Sequence, residues 1–315
     1  MGGRLPERPL TALYDEMAAH GCTLSEPGYS PLVCEGRLKS GLYTLPGNIS
    51  SQFVSGLLLA LPLLEGGSVM QITGVLQSRP YVDITLEALR LFGVTITEED
   101  GQVFHIPGGQ KFCPPKNVRA GGDWYNAAFW LSLGAIGKDS VTCTGLDPDS
   151  RQGDRIAVEL LSRFGAGVVC RNGSVTVSPC TLRGIDIDAG DTPDLVPALA
   201  AVACVAEGKT TIRNAGRLRI KESDRLSTVA ESLTDLGADI KQTADGLEIN
   251  GKKALRGGRT RSFGDHRIAM SAAILSAACT GTVVIRDADA VRKSYPGFFN
   301  DLETALGGEY RIIGE

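Results

Sequence analysis

The chain has 315 residues, of which 43% are hydrophobic and 22% charged, and its formal net charge at neutral pH is −4. This length suffices for two domains with separate cores, and an acidic balance without a dense Lys/Arg tract argues against nonspecific nucleic-acid binding. The longest apolar run, residues 57–64, is too short to cross a bilayer, and the N-terminus has no signal-like apolar stretch, so we expect a cytoplasmic protein.

Cysteine and histidine usage gives no sign of a metal centre. The chain has eight cysteines, none in a Cys-x-x-Cys pair, and only three histidines. Because metal-ligand spacing is absent, we expect no bound metal, and disulfides are not expected in the cytoplasm. We therefore predict that most of the cysteines are small core residues.

The chain is built on a repeat of 72 residues. Helix-like runs end at glycines that precede strand-like segments, and these are Gly21, Gly93, Gly165 and Gly237. Glycine adopts the left-handed conformation that ends a helix, so each glycine predicts the same junction. A second series of strand starts, at 67–69, 138–141, 208–211 and 281–283, follows apolar helix-like runs. Two interleaved series predict at least four copies of one unit with two helices and several strands.

Polar residues mark the predicted helix starts at nearly the same spacing. Ser51, Asp123, Asp194 and Asp265 lie at the entrance of one helix of each unit. Charged or proline-containing stretches precede the other helix of each unit. Polar groups that gather at one end of repeated helices lie on one rim, where several helix N-termini favour anions. The sequence therefore predicts a large anion site on that rim.

The densest charged stretch covers residues 217–225, ahead of a helix-like run from 226 to 236. Ser223 or Asp224 can cap that helix, and the neighbouring arginines with Lys221 favour a bound phosphate or carboxylate. Glu222 lies among these cations, where its pKa can be moved toward proton-transfer duty. Taken alone, the segment is explained more simply as a solvated helix start with surface ion pairs, and its position in the repeat is what favours a site.

Longer motifs resemble the 5-enolpyruvylshikimate-3-phosphate (EPSP) synthase family of enolpyruvyl transferases. Two of them read Arg-Ile-Lys-Glu-Ser-Asp-Arg at 219–225 and Asp-His-Arg-Ile-Ala-Met at 265–270. The matching stretches occur in order from residue 3 to residue 299. The others are residues 3–9, 50–53, 78–85, 122–123, 193–194 and 293–296.

The resemblance implies an α/β fold, a two-lobe inside-out α/β barrel built from βαβαββ repeats. We expect residues 1–118 to form the remaining part of the N-terminal lobe and residues 119–315 the C-terminal lobe of three units. The repeat begins in mid-unit, and the family's upstream Lys-Ser pair and Asn-Ala-Gly-Thr loop are not found in the sequence. We therefore expect an N-terminally truncated chain with an incomplete first lobe.

The resemblance also implies an activity. The enolpyruvyl group of phosphoenolpyruvate is transferred to the 5-hydroxyl of shikimate 3-phosphate, and phosphate is released, in aromatic amino acid biosynthesis. No cofactor is expected, because phosphoenolpyruvate carries its own leaving group. The resemblance assigns catalysis to Asp194, Lys221 and Glu222. It assigns shikimate 3-phosphate to Ser50, Ser51, Gln52, Ser78, Tyr81, Asp194 and Lys221, and phosphoenolpyruvate to Arg4, Gln52, Arg225, Arg267 and Lys293.

Simpler explanations exist for each residue taken singly. Ser50 or Asp194 can cap a helix, Tyr81 can be an aromatic at the core edge, and each arginine can be a surface ion-pair partner. Two functional alternatives also remain. One is a UDP-N-acetylglucosamine enolpyruvyl transferase, and the other is a non-catalytic fragment that complements a separate N-terminal polypeptide. Otherwise we expect a monomer whose partners are the two small-molecule substrates, with no nucleic acid and no membrane.

Overall fold

The computed structural model describes residues 9–25 and 31–306, which fall into two compact units. The first unit comprises the residues up to 120 together with 151–153, and the second comprises 121–150 and the residues from 154 onward. Each unit has its own hydrophobic core. Whether these units are the lobes predicted at 1–118 and 119–315 stays a prediction.

The first unit contains a four-stranded sheet with the order β3-β4-β6-β5. Strands β3 and β4 are parallel, and the remaining pairs are antiparallel. A two-stranded sheet, β1-β2, lies beside α1 in the sequence. The elements are α1 Thr11–Ala19, β1 Cys22–Leu24, β2 Cys34–Gly36, β3 Leu42–Pro46, α2 Ser51–Ala60, β4 Ser68–Thr73, α3 Arg79–Leu91, β5 Thr97–Glu99 and β6 Val103–Ile106.

The second unit repeats the same arrangement. Its four-stranded sheet has the order β10-β11-β13-β12, again with one parallel pair followed by antiparallel pairs, and it is joined by the sheets β7-β9-β8 and β14-β15. The elements are α4 Trp124–Ile136, β7 Val141–Thr144, α5 Ala157–Phe164, β8 Gly167–Arg171, β9 Ser174–Ser178, β10 Asp186–Asp188, α6 Val196–Ala203, β11 Lys209–Arg213, α7 Arg225–Asp235, β12 Asp239–Gln242, β13 Leu247–Asn250, β14 Gly258–Arg261, α8 His266–Leu275, β15 Val283–Arg286 and α9 Phe298–Ala305.

These two sheets confirm the βαβαββ repeat. The order β3-α2-β4-α3-β5-β6 in the first unit is the order β10-α6-β11-α7-β12-β13 in the second. The four predicted helix-ending glycines, Gly21, Gly93, Gly165 and Gly237, all have positive φ, between 79° and 107°. The 72-residue spacing therefore marks equivalent junctions, as the sequence predicts.

Three apolar helices form the centre of the second unit's core. Every residue of α6 is buried, and α4 and α8 are buried on nearly all sides. Each of the three contacts the other two. A helix that is apolar all round must lie inside a core, and the many alanines of α6 and α8 let the backbones approach closely. Their N-termini carry the polar residues that are described below.

The expectation that most cysteines lie in the core is wrong. Cys22 and Cys204 are buried and two more are half-buried, but four are exposed, namely Cys34, Cys113, Cys170 and Cys180. Cys34 and Cys170 lie on β2 and β8, each at the edge of its sheet. The exposure of a residue on an edge strand depends on which face of the sheet its side chain occupies. It does not depend on whether the side chain is hydrophobic. None of the described helices is long and apolar enough to span a membrane.

Candidate active site

The predicted site residues of the second unit follow the carboxyl ends of parallel strands. Asp194 comes after β10 in a 3₁₀ turn, Pro193–Leu195, and residues 221–225 come after β11. Arg267 lies in the first turn of α8 after β14, and Lys293 follows β15. Because β10 pairs with β11 and β14 pairs with β15 in parallel, these ends meet at common edges. Crevices at such edges are the usual ligand sites of open α/β sheets.

Arg225 lies at the centre of the cluster, with a fully buried side chain (0% exposed). Its Nε donates to Oδ2 of Asp265 at 2.8 Å, and its Nη1 donates to Oδ1 of Asp194 at 2.9 Å. Its Nη2 donates to Oε2 of Glu222 at 2.6 Å and to Oδ1 of Asp265 at 3.2 Å. One guanidinium therefore holds three carboxylates from three different segments of the chain.

Two further cations lie beside Asp194. Arg267 Nη2 lies 3.0 Å from Oδ2, and Lys221 Nζ lies 3.7 Å from Oδ1. Lys293, which is 56% exposed, donates from Nζ to Oε1 of Glu222 at 3.0 Å. In the described part of the chain, cations outnumber carboxylates in this cluster, so its surplus charge suits an anionic ligand.

The cations keep the two proposed catalytic carboxylates ionised. Burial by itself raises the pKa of Asp194, but Arg267, Lys221 and Arg225 outweigh it and hold that pKa well below the usual range. Burial likewise opposes ionisation of Glu222, but Arg225 and the hydrogen bond from Lys293 hold its pKa well below the usual range. Both groups are therefore anions at neutral pH.

Burial lowers the pKa of Lys221, and the charges of Arg225 and Arg267 lower it further, against the opposing effect of Asp194. An amine with a lowered pKa exchanges its proton more readily near neutral pH. His266 is also buried, and burial together with Arg267 lowers its pKa to about 4. Its imidazole is therefore neutral at pH 7.

Three aspartates cap helices as predicted. Asp123, Asp224 and Asp265 accept hydrogen bonds from the backbone N–H groups of residues 126, 227 and 267. Asp194 lies inside the 3₁₀ turn Pro193–Leu195, and its carboxylate is engaged by Arg225 and Arg267. Its carboxylate therefore belongs to the charged cluster, and a helix-cap role is not needed to explain its position.

Two expectations for the 217–225 stretch need correction. Arg219 does not support an anion site, because it donates to Asp224 and to the backbone carbonyls of residues 243 and 244. Arg225, expected to offer its guanidinium to an anionic ligand, is fully buried, and its Nε, Nη1 and Nη2 each donate to a carboxylate. Ser223 is buried and donates to Asp265 instead of capping α7.

The predicted residues of the first unit lie at the starts of α2 and α3. Ser50 caps α2, accepting from the backbone N–H of Gln52, while Ser51 is buried and Gln52 exposed. Ser78, which is buried, precedes α3 in a left-handed conformation (φ 56°), and Tyr81 lies in the first turn of α3. A hydroxyl contact of 2.7 Å between residues 55 and 85 joins the two helices. Arg4 lies outside the described residues.

The sequence interpretation missed two residues of the cluster. Tyr125, in the first turn of α4, accepts a hydrogen bond from Arg267 Nε at 2.5 Å, and its ring lies 4.3 Å from the guanidinium carbon. Arg217 lies close enough to Lys221 to lower its pKa. The available signal for Tyr125 was its position beside Asp123, one of the repeated helix starts. Arg217 lay inside the charged stretch but had no assigned role.

Comparison with protein families gives a match over residues 2–302 to the model described as EPSP synthase (3-phosphoshikimate 1-carboxyvinyltransferase). Relatives bearing that enzyme name occur in Clostridium kluyveri, 46% identical over 308 residues, and in Clostridium perfringens, 44% identical over 307 residues. These alignments cover 98% and 97% of the chain and 72% of each relative.

Comparison with solved structures gives matches to the same fold. EPSP synthase from Acinetobacter baumannii matches with a TM-score of 0.78 and 28% identity, covering 96% of the chain and 71% of that structure. The enolpyruvyl transferase NikO from Streptomyces tendae matches with a TM-score of 0.76 and covers 95% and 71%, but at 23% identity it supports the fold alone. The predicted enolpyruvyl transferase fold is therefore confirmed.

Proposed function

The chain belongs to the EPSP synthase family and transfers the enolpyruvyl group of phosphoenolpyruvate to the 5-hydroxyl of shikimate 3-phosphate, and we propose that the charged cluster of its second unit carries this reaction. The reaction needs a proton removed from the hydroxyl, a proton added to the methylene carbon, and compensation of several negative charges. The cluster has a candidate group for each of these needs.

Asp194 and Lys221 are the proposed groups for the hydroxyl proton. Asp194 is an anion whose low pKa makes it a weak base while Arg267, Lys221 and Arg225 surround it. An anionic substrate that binds these cations reduces their effect, so the pKa of Asp194 rises toward the range in which it accepts a proton. Lys221, 3.7 Å away and with a lowered pKa, can pass that proton on.

Glu222 and Lys293 are the proposed groups for the methylene proton. Their 3.0 Å contact joins a carboxylate to an ammonium group that is half exposed, so the pair can deliver a proton to a ligand without a buried acid. In our proposal Lys293 also contacts phosphoenolpyruvate, together with Arg4 and Arg267. Arg225 contributes by fixing Asp194 and Glu222, and we propose that it also contacts phosphoenolpyruvate.

The remaining contacts to shikimate 3-phosphate are proposed for the first unit. Ser50, Ser51, Gln52, Ser78 and Tyr81 carry neutral donor groups at two adjacent helix starts, where backbone N–H groups also favour anions. We propose further that the two units correspond to the lobes predicted from the sequence. We also propose that the enzyme acts as a monomer.

One observation carries the proposal for the cluster: Arg225 gathers Asp194, Glu222 and Asp265, each from a different segment of the chain, beside Lys221, Arg267 and Lys293. The test measures phosphate release from both substrates by the wild-type chain and by Asp194→Asn and Glu222→Gln. The matched control is Glu231→Gln, because Glu231 makes an exposed ion pair with Arg261 outside the cluster.

We expect the control to match the wild type and the two cluster variants to lose at least about 100-fold in kcat, the scale for a group that acts in the transition state. UDP-N-acetylglucosamine in place of shikimate 3-phosphate should give no turnover. Near wild-type rates in both cluster variants would refute the assignment of these residues.

A further inference from the structure

Tyr125 and Arg267 come from helices that are far apart in the sequence and packed together in the core. Tyr125 lies in the first turn of α4, directly after the cap Asp123, and Arg267 lies in the first turn of α8 after the cap Asp265. The two capped helix starts therefore fix the backbone positions of Tyr125 and Arg267 independently of the contact between their side chains. Phe129, one turn further along α4, packs edge-to-face against the Tyr125 ring at 5.6 Å between centroids and restrains it.

Tyr125 contacts Arg267 in two ways. Its hydroxyl oxygen accepts the Nε–H, and its ring lies under the guanidinium with 4.3 Å between the centroid and Cζ. A desolvated guanidinium stacked on an aromatic ring is held more firmly than one at the surface. Burial raises the pKa of Tyr125, so the phenol stays protonated across the physiological range.

These contacts decide which part of Arg267 remains for a ligand. Nε is taken by Tyr125 and Nη2 by Asp194, whereas Nη1 reaches Glu222 only at 4.0 Å. Without the tyrosine acceptor, the guanidinium could rotate toward Glu222 and close a second full ion pair. The tyrosine therefore keeps one donor edge of the arginine available.

We infer that Tyr125 is a positioning residue that holds Arg267 with its Nη1 edge ready for the anionic group of phosphoenolpyruvate. The inference rests on the proposed role of Arg267 in binding that substrate. Pre-organising a long side chain removes much of the entropy that its immobilisation costs on binding, so the gain appears in affinity for the ligand it contacts.

The test compares Tyr125→Phe, which keeps the ring and removes the acceptor, with Tyr125→Leu, which removes both. We expect KM for phosphoenolpyruvate to rise about threefold to tenfold in Tyr125→Leu, the scale for one arginine left mobile, with a smaller rise in Tyr125→Phe. KM for shikimate 3-phosphate should change little in either variant. The control is Tyr43→Phe in the first unit, which also loses a buried tyrosine hydrogen bond, to the Lys39 carbonyl. It should leave both KM values unchanged.

A double-mutant cycle with Arg267→Lys separates positioning from a general loss of structure. Calorimetric titration with phosphoenolpyruvate, in the presence of shikimate 3-phosphate, provides the affinities. If Tyr125 acts through Arg267, adding Tyr125→Leu to Arg267→Lys weakens binding no further. Equal effects of Tyr125→Leu in both backgrounds, or equal rises in both KM values, would overturn the inference. If Arg267→Lys itself leaves phosphoenolpyruvate affinity intact, the proposed role of Arg267 fails instead.

Discussion

Arg225 has both a structural role, as the centre of a buried ion-pair network, and a proposed functional role. It is fully buried, and three carboxylates from different segments share it as an ion-pair partner. A buried ion pair is a weak source of net stability compared with an apolar replacement, but removal of one partner leaves the others uncompensated. Loss of activity in an Arg225 variant therefore cannot be interpreted without a measurement of folding.

We predict that Arg225→Ala lowers the free energy of unfolding by about 3–5 kcal/mol, because the buried Asp194 and Asp265 and the half-buried Glu222 lose their common partner. Urea denaturation followed by circular dichroism measures the effect. The control is Arg261→Ala, whose ion pair is more than half exposed and should contribute less than about 1 kcal/mol. Equal small losses for both variants would mean that Arg225 is not the hub of the network.

Acidification should destabilise the protein in two windows. His266 has a folded-state pKa of about 4 against about 6.5 unfolded, so between these values the unfolded state binds the extra proton and stability falls as pH falls. The folded structure also lowers the pKa values of Asp194, Glu222 and Asp265. Below about pH 4 these carboxylates take up protons more readily in the unfolded chain than in the folded one, so the stability that they contribute is lost as the pH falls.

The variant His266→Gln should therefore flatten the profile between pH 7 and pH 4, removing on the order of 3 kcal/mol of pH dependence. Unfolding curves at half-unit steps of pH measure it. A wild-type profile that is already flat above pH 4.5 would show that the folded protein keeps His266 near its ordinary pKa.

The sequence identified most of the charged cluster but not the arrangement of its contacts. The motif spacing and the family resemblance pointed to Asp194, Lys221, Arg225 and Arg267, which the structure brings together. Which cation faces which carboxylate depends on packing between α6, α7 and α8, and no local pattern encodes it. Tyr125 was missed for the same reason, since its partner lies 142 positions away.

At the level of elements, the repeat could be predicted because each of its glycines occupies a helix end whose positive φ disfavours residues with a β-carbon. A second repeated feature was overlooked. Gly74, Gly145, Asn214 and Asp287, each directly after a strand, all have positive φ. Asparagine and aspartate tolerate this conformation better than other residues with a β-carbon. Because the residue type changes from glycine to polar side chains, the series is invisible to a search for glycine alone.

The helix-ending glycines give a prediction with an internal control. At Gly165, φ is 103° and an added β-carbon would lie 2.8 Å from the carbonyl oxygen of Thr181. We expect Gly165→Ala to destabilise the protein by at least about 1–2 kcal/mol. Gly56, inside α2 with open space around it, is the control, because alanine there should stabilise the helix by about 0.5–1 kcal/mol. Thermal unfolding of both variants measures the two changes in stability. If both substitutions changed the stability in the same direction, the assignment of Gly165 as a helix-ending residue would be contradicted.

For the whole molecule, the least structured described segment lies where the first unit ends. Residues 111–121 have no regular secondary structure and are nearly all exposed. The family resemblance implies a lobe boundary near residue 118, inside this segment. Exposed backbone without hydrogen-bonded partners is the preferred site of proteolytic nicking.

We therefore predict that brief trypsin treatment of the native protein cleaves first after Lys111, Lys116 or Arg119, with mass spectrometry of the fragments as the measurement. Basic residues such as Arg171 and Lys209 lie in paired strands of the second unit, so their peptide bonds open only on unfolding. Changing Lys111, Lys116 and Arg119 to glutamine should slow this cleavage without altering the free energy of unfolding. Early cuts between α5 and α9, with residues 111–121 intact, would mean that the second unit is not an independently stable body and that the lobe boundary lies elsewhere.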